Sequence, residues 1–322
     1  MTKEKKIRFG IQTPTMHTTW PDILALWKEA DAGGFDTAWL FDHLMPLSGD
    51  LNGPCLESWT TLSALALETR NLDIGILVCS NTFRHPVVLA KMATTVDILS
   101  GGRLLLGLGA GFYPVEHEAY GIPLPTMKDR MGQLEEALQV INSLWTQNRV
   151  SFAGRYYRLN DAVFEPKPVQ KPKPPIIVGG SGEKRLIPIA ARYADGWNLT
   201  GSHGTPEIVR HKVRVFEDSC VASGRNPGEM DKSLATFLYL SHEPSQFLPT
   251  IERWARSRGL SLEEAKDRVL FGTPDMVRQH IEELRGCGIN HLILQLVPPF
   301  QIDSLRLFRD EVLPHFRTTL FP

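Results

Sequence analysis

The residue pairs most able to do chemistry stand at the ends of apolar runs. Asp42-His43 closes the run Thr37–Phe41, where an imidazole can exchange a proton or hydrogen bond with a redox ring or a substrate. The adjacent carboxylate is available to orient it; a histidine merely satisfied at the rim is the alternative reading. Glu116-His117-Glu118, followed by Tyr120-Gly121, offers a second acid/base group, although a solvated helix turn accounts for at least one of these carboxylates. Gly179-Gly180-Ser181-Gly182 presents small residues and free amides just ahead of the helical run 183–194, with Lys184 and Arg185 adding positive charge. Such a turn is an anion seat, and equally a tight turn with Ser181 as an ordinary N-cap. Cys79 reads as a packed thiol, because no base accompanies it in the sequence. Trp20, Trp39, Phe112 and Trp197 fall near element ends and could wall a pocket the size of an isoalloxazine, or simply fill the core.

Several chemistries are excluded by spacing. The ten histidines have no pair closer than eight positions, so neither HxH nor HExxH occurs and no metal site is expected. In Gly179-Gly180-Ser181-Gly182-Glu183 a nucleophile elbow would need glycine at 183. In Gly107-Leu108-Gly109-Ala110-Gly111-Phe112 the dinucleotide fingerprint loses its third glycine to Phe112. Lys plus Arg is 35 against 36 for Asp plus Glu, with no long block of either sign, which argues against a nucleic-acid partner. Cys55, Cys79, Cys220 and Cys287 show no CxxC spacing, so a reduced, cytoplasmic setting is expected. The charged opening stretch lacks the apolar centre of a signal peptide and no segment reads as a membrane span.

These groups need a scaffold, and the periodicity supplies one. Short aliphatic runs alternate with amphipathic segments through 322 residues, predicting eight βα units that close a single (β/α)₈ TIM barrel over 1–322. The expected strands are 7–12, 37–41, 72–78, 104–109, 176–179, 196–200, 233–240 and 291–297. Proline in the first turn at Pro21, Pro86 and Pro274, and glycine beyond the last at Gly33-Gly34, Gly101-Gly102 and Gly286-x-Gly288, bracket helices between them. Three insertions interrupt the rhythm: a loop over about 110–128; a hairpin and a stiff proline-rich connector over about 150–175; and a helical insertion after the seventh strand, over about 241–270. The first and last are lid candidates, since βα loops lie on the active-site face of a barrel.

Six segments together resemble the luciferase-like monooxygenase superfamily, in its branch of coenzyme F420 (deazaflavin) oxidoreductases. They are Gly34–His43, Asn81–Ala93, Ser100–Gly111, Glu116–Gly121, Pro175–Glu183 and Ala194–Asn198, in that order and spacing. The resemblance implies a luciferase-like barrel, usually a homodimer, whose cofactor ring lies against Leu77, Val78 and Cys79 at a non-proline cis peptide. It implies that Gly109 and Gly111 flank the ring and that Gly179, Gly180 and Ser181, with Gly182 next to them, hold the phosphate. Trp197 is counted with these cofactor-binding residues, and His43, Asp42 and Glu116 as the catalytic set. Phe112 and Leu47 depart from the glutamate and tryptophan of the sugar-phosphate dehydrogenases in the family, so neither that substrate nor its proton-transfer scheme carries over. The implied activity is hydride transfer between F420 and a small organic substrate. A monooxygenase using FMN reduced by a separate reductase, and a flavin-binding protein without turnover, are the alternatives.

Overall fold

The computed structural model describes residues 6–200 and 204–317. The charged opening stretch, residues 1–5, lies outside the described residues. In chain order the strands are β1 (Arg8–Thr13), β2 (Thr37–Leu40), β3 (Asp73–Ser80), β4 (Leu104–Gly109), β5 (Arg149–Ala153), β6 (Arg158–Val163), β7 (Ile176–Gly179), β8 (Gly196–Thr200), β9 (Asp231–Leu240), β10 (Leu270–Gly272) and β11 (His291–Gln295). Eight of them pair in parallel in the circular order β1-β2-β3-β4-β7-β8-β9-β11, and β11 returns to β1 to close the barrel. The expected strands are these eight.

Period-two alternation in the strands decides what fills the ring and what faces the helices. Phe9, Ile11, Ile74, Ile76, Leu104, Leu106, Leu108, Ile176 and Val178 point outward into one continuous core with the helices. The opposite face holds a smaller cluster of Trp39, Leu77, Leu105, Ile177, Ala235 and Ile293 inside the barrel, with Val78 packed on it. Trp39 occupies the lumen because Gly75 leaves room for it: a Cβ on Gly75 would sit 2.7 Å from the indole. Polar bonds fix the indole from below, Trp39 Nε1 donating to Thr37 Oγ1 at 2.9 Å, Thr37 meeting His291 at 2.9 Å, and His291 meeting Asp231 at 2.9 Å. The N-terminal end of the lumen is thereby filled, and open chemistry is left to the C-terminal end.

Helix boundaries follow local stereochemistry. Thr19 caps the helix Trp20–Ala32, and the helix Pro86–Ser100 ends at left-handed Gly101, φ +70°. At the other two expected glycine stops the left-handed residue is the second glycine, Gly34 at φ +78° and Gly288 at φ +99°. The long helix Met127–Thr146 buries Met131, Leu134, Leu138, Ile141, Leu144 and Trp145 at helical spacing against the sheet and the helix 86–100.

The interruptions are also visible. β5 and β6 form the expected antiparallel hairpin, which runs to Val163. The loop after β4 contains a short helix, Pro114–Ala119. The segment after β9 holds the helices Leu248–Arg258 and Leu262–Lys266, as expected, but ends in a strand that alternation does not reveal in three residues: β10 pairs in parallel with the far end of β9. This insertion has its own small core of Tyr239, Phe247, Ile251, Ala255, Ala265 and Val269. Among the described residues no helix is long and apolar enough to cross a membrane.

Candidate active site

The C-terminal ends of β2, β3, β4 and β7 bring together most of the residues singled out in the sequence. His43, 9% exposed, bonds through Nδ1 to Glu116 Oε2 at 3.0 Å. The other oxygen of Glu116 accepts the amide of Leu44 in a short hydrogen bond. Glu116 is fully buried on the helix after β4, whereas Glu118, two residues on, is exposed to solvent. Burial pushes the Glu116 carboxyl up, but the bonds from His43 and from the Leu44 and Met45 amides outweigh it and hold the group below the usual carboxylate range. An ionised carboxylate only accepts, so His43 Nδ1 donates to it, and in the neutral imidazole Nε2 is then the acceptor nitrogen.

The orienting carboxylate is therefore Glu116, not the neighbouring Asp42. Arg84 takes both oxygens of Asp42, at 2.7 and 3.0 Å, and the amide of Ser80 bonds to Asp42 at 3.0 Å. Arg84 also reaches Glu57 at 3.0 Å, and Glu57 caps the helix Ser58–Glu68. Asp42 thus buttresses the ends of β2 and β3. Arg84 and Glu57 were not picked out as site residues. Arg84 lies within the family-like segment 81–93, but spacing alone does not tell which carboxylate a surface-type residue will meet.

Glycines from β4 and β7 form a cradle around Val78. The Leu77–Val78 peptide is cis, and the register of β3 on β4 shifts between Ile76 and Cys79. A Cβ on Gly109 or on Gly179 would lie 2.7 Å from the Val78 side chain, so these two glycines lie beside it from neighbouring strands. Gly111, φ +78°, crosses close over Ser80 and Thr82, where a Cβ would approach the two hydroxyls at 2.7 and 2.6 Å. Those hydroxyls are linked to each other at 2.7 Å, and Thr82 bonds to buried His117 at 2.7 Å. Cys79 does not face this space: its side chain is fully buried in the strand–helix core, and burial pushes its thiol well up.

At β7 the turn differs from the sequence expectation in one respect. The helix begins at Leu186, after a turn over 183–185, so Ser181 is not its N-cap. The Gly180 amide is spent on Asn198 O at 3.0 Å. The amides of Ser181, Gly182 and Glu183 have no acceptor among the described residues, and Lys212 donates to Ser181 O at 3.0 Å, placing a cation beside them. Free amides with a nearby ammonium suit a phosphate. Trp197 is behind this turn, not in a pocket wall: it is fully buried, stacked on Phe216 at 5.4 Å, and donates to Gly180 O at 2.7 Å. Two open concavities of about 470 and 530 Å³ share Asp195 and Arg225 at the N-terminal end of β8, remote from His43.

A parallel barrel with a buried histidine–carboxylate pair, a glycine-lined cradle and a turn of free amides at one end defines a class, the cofactor-binding TIM barrels. Within it, residues 6–291 match the luciferase-like monooxygenase family, to which the chain belongs. It is 29% identical over 334 residues to the F420-dependent glucose-6-phosphate dehydrogenase of Microbacterium testaceum, covering 97% of this chain and 98% of that protein. Among solved structures it resembles an F420-dependent secondary alcohol dehydrogenase in complex with an F420–acetone adduct (TM-score 0.85, 21% identity, 96% and 98% of the two chains). It also resembles a monooxygenase from Streptomyces bottropensis (TM-score 0.82, 26% identity, 96% and 100%).

Proposed function

We propose that this chain transfers a hydride between deazaflavin F420 and a small organic substrate, with His43 as the proton-handling group. The chain is an oxidoreductase of the F420- or flavin-using kind. The observation that carries the reading is the pairing of a buried His43–Glu116 couple with the Val78 cradle at one barrel mouth. Bound there, the cofactor would supply a two-electron hydride donor or acceptor. The residues present fit such a group: Leu77, Val78, Gly109 and Gly111 form a backbone-lined shelf for a flat ring, and the 181–183 amides with Lys212 suit its phosphate.

His43 would take the proton of a substrate hydroxyl on Nε2, and Glu116 would steady the imidazolium that results. Asp42, held by Arg84, would fix the strand end that carries His43. FMN with reduced flavin from a separate reductase is the second reading, because the same shelf and turn would serve it. Titration of the purified protein with oxidised F420 and with FMN, followed by the cofactor's own fluorescence, tests both. Tighter binding of F420 supports the first reading, tighter binding of FMN the second, and binding of neither overturns both.

The proposal extends to a homodimer working in the cytoplasm. The paired helices 58–68 and 86–100 expose Leu67 (66%), Val88 (51%), Ile98 (40%) and Leu99 (41%) on their outer side. Side chains of this type grouped on neighbouring helices mark an association surface.

A further inference from the structure

We propose that Gln12 and Gln295 are positioning residues that fix the Val78 shelf from inside the barrel, and so set how tightly and in what attitude a flat ring is held there; this rests on the redox reading above. The first support is a break in the strand pairing. Among the described residues, Leu77 and Val78 have no register partner on either neighbouring strand: pairing with β2 ends at Leu40 and Ile76, and pairing with β4 skips from Ile76 to Cys79. Leu77 is buried. A buried carbonyl taken out of the ladder must find a donor elsewhere, and Leu77 O finds the side-chain amide of Gln12 in a short hydrogen bond. Gln12 belongs to β1, on the far side of β2, so the bond crosses the lumen instead of following the sheet.

The second support is that this amide cannot turn over. Phe9 and Ile11 point outward, so Gln12, one position beyond Ile11, points inward; Leu292 and Leu294 point outward, and Gln295 likewise points inward. The two glutamines are register partners on β1 and β11, both are buried, and Gln295 Nε2 donates to Gln12 Oε1 at 2.9 Å. A carbonyl oxygen only accepts, which directs the Gln12 NH₂ group to Leu77 and its oxygen to Gln295. Rotating the amide by half a turn would set oxygen against oxygen at Leu77 and NH₂ against NH₂ at Gln295. The relay therefore runs one way, from Gln295 to Gln12 to Leu77 O, and ties β11 and β1 to β3.

The shelf is thus held from two directions. Gly109 and Gly179 approach the Val78 side chain from β4 and β7, while Gln12 takes the carbonyl of the peptide that carries Val78. The glycines leave room for the side chain; the amide supplies a direction. Buried amides in a lumen otherwise filled by side chains such as Trp39, Leu105 and Ile293 are costly unless they are bonded, and packing alone would be served by an apolar residue of similar volume. The side-chain bonds of the two glutamines run to Leu77 O and to each other, whereas the His43–Glu116 pair is a separate unit. Substituting either glutamine should therefore act on the holding of the ring.

The test titrates the full chain with oxidised F420 and with FMN, reading the dissociation constant and the visible absorption band of the bound ring, with urea unfolding on the same samples. Gln12→Met, close in volume, leaves Leu77 O without its donor; ring affinity is expected to fall about tenfold and the band to move. Gln295→Met frees the Gln12 amide to turn, and a loss of about threefold is expected. In the double variant Gln295→Met should add nothing to the loss from Gln12→Met, because the relay is already cut. A merely structural pair would lower the urea midpoint and leave the affinity and the band of the folded protein as in the wild type; that result overturns the proposal, as do losses that add in the double variant. Should Gln12→Met fail to fold, Gln295→Met decides alone: weaker binding with a moved band supports the relay, and wild-type values overturn it. A wild type that binds neither ring removes the redox reading and the proposal with it, whereas wild-type binding with unaffected variants removes the proposal alone.

Discussion

Replacing Glu116 by glutamine changes almost no volume and yet should invert the chemistry of His43. Glu116 is fully buried, and its two oxygens accept from two different donors, His43 Nδ1 and the Leu44 amide. Glutamine offers one oxygen. A backbone amide can only donate, so the new carbonyl has to turn to Leu44, and the NH₂ group then faces His43. The imidazole must accept at Nδ1 and carry its proton on Nε2. The nitrogen proposed as the base becomes a donor, with the ring hardly displaced. General-base assistance is worth about 10²–10⁴ in rate, or roughly 3–5 kcal/mol at about 1.4 kcal/mol per tenfold. Exchanging one charge-assisted bond for a neutral one should cost about 1 kcal/mol of stability. The assay is single-turnover reduction of the oxidised cofactor by excess alcohol, with cofactor affinity and urea unfolding measured on the same sample. Alcohol oxidation slowed by about 10²–10⁴ at unchanged cofactor affinity is the expected outcome. A wild-type rate in the variant would refute the tautomer argument. A pH series adds a second check. The folded-state pKa of Glu116 is lowered, so its ionisation stabilises the fold above the ordinary carboxylate value of about 4.3 and that contribution is lost as pH falls through the lowered value. The wild type should therefore lose stability more steeply in acid than the glutamine variant.

Gly179→Ala places a Cβ 2.7 Å from Val78 Cγ1, so the cradle must shift; at an overpacking cost of about 1–3 kcal/mol, cofactor affinity should fall by about tenfold, read by fluorescence titration. Asp42→Ala leaves the mostly buried Arg84 guanidinium with Glu57 alone; unfolding in urea should show a loss of about 3 kcal/mol, and an unchanged midpoint would mean that Asp42 is not a buttress. Leu67→Glu combined with Leu99→Glu places charges on an exposed apolar face; light scattering after size exclusion should show a dimer for the wild type, as proposed, and a monomer for the variant.

How much was legible in the sequence depends on how local each signal is. The barrel strands were, because a buried parallel strand is a short apolar run between amphipathic segments, and three of them, 37–41, 104–109 and 291–297, also follow a glycine stop. β10 was not, since three residues hold too little alternation to separate them from a loop. Glycines 109 and 179 were legible as glycines, but their shared neighbour Val78 emerges only when β3, β4 and β7 are side by side. The partner of His43 shows the limit most clearly. Sequence adjacency favoured Asp42, but along a strand end successive side chains point to opposite sides. Asp42 is thereby directed to Arg84, and the carboxylate that meets His43 comes from 73 residues further on.

That geometry bears on the loop over 110–128, which as a βα loop on the mouth was expected to act as a lid. Glu116 ties it to β2 through His43 and Leu44, Tyr120 ties it again to Leu44 O, and Arg130 holds Gly111 O from the following helix. A segment fastened at three points with a buried carboxylate at its centre would have to break a charge-assisted bond in order to open. It acts as a bracket that sets the imidazole, while the insertion after β9, whose own small core includes side chains at the far end of that strand, is the element free to differ in position over the mouth. On the proposed reading, catalytic geometry and substrate access fall to different loops. Substitutions in 241–270 should change which substrates bind, whereas substitutions at the Glu116 bracket should change the rate for every substrate alike.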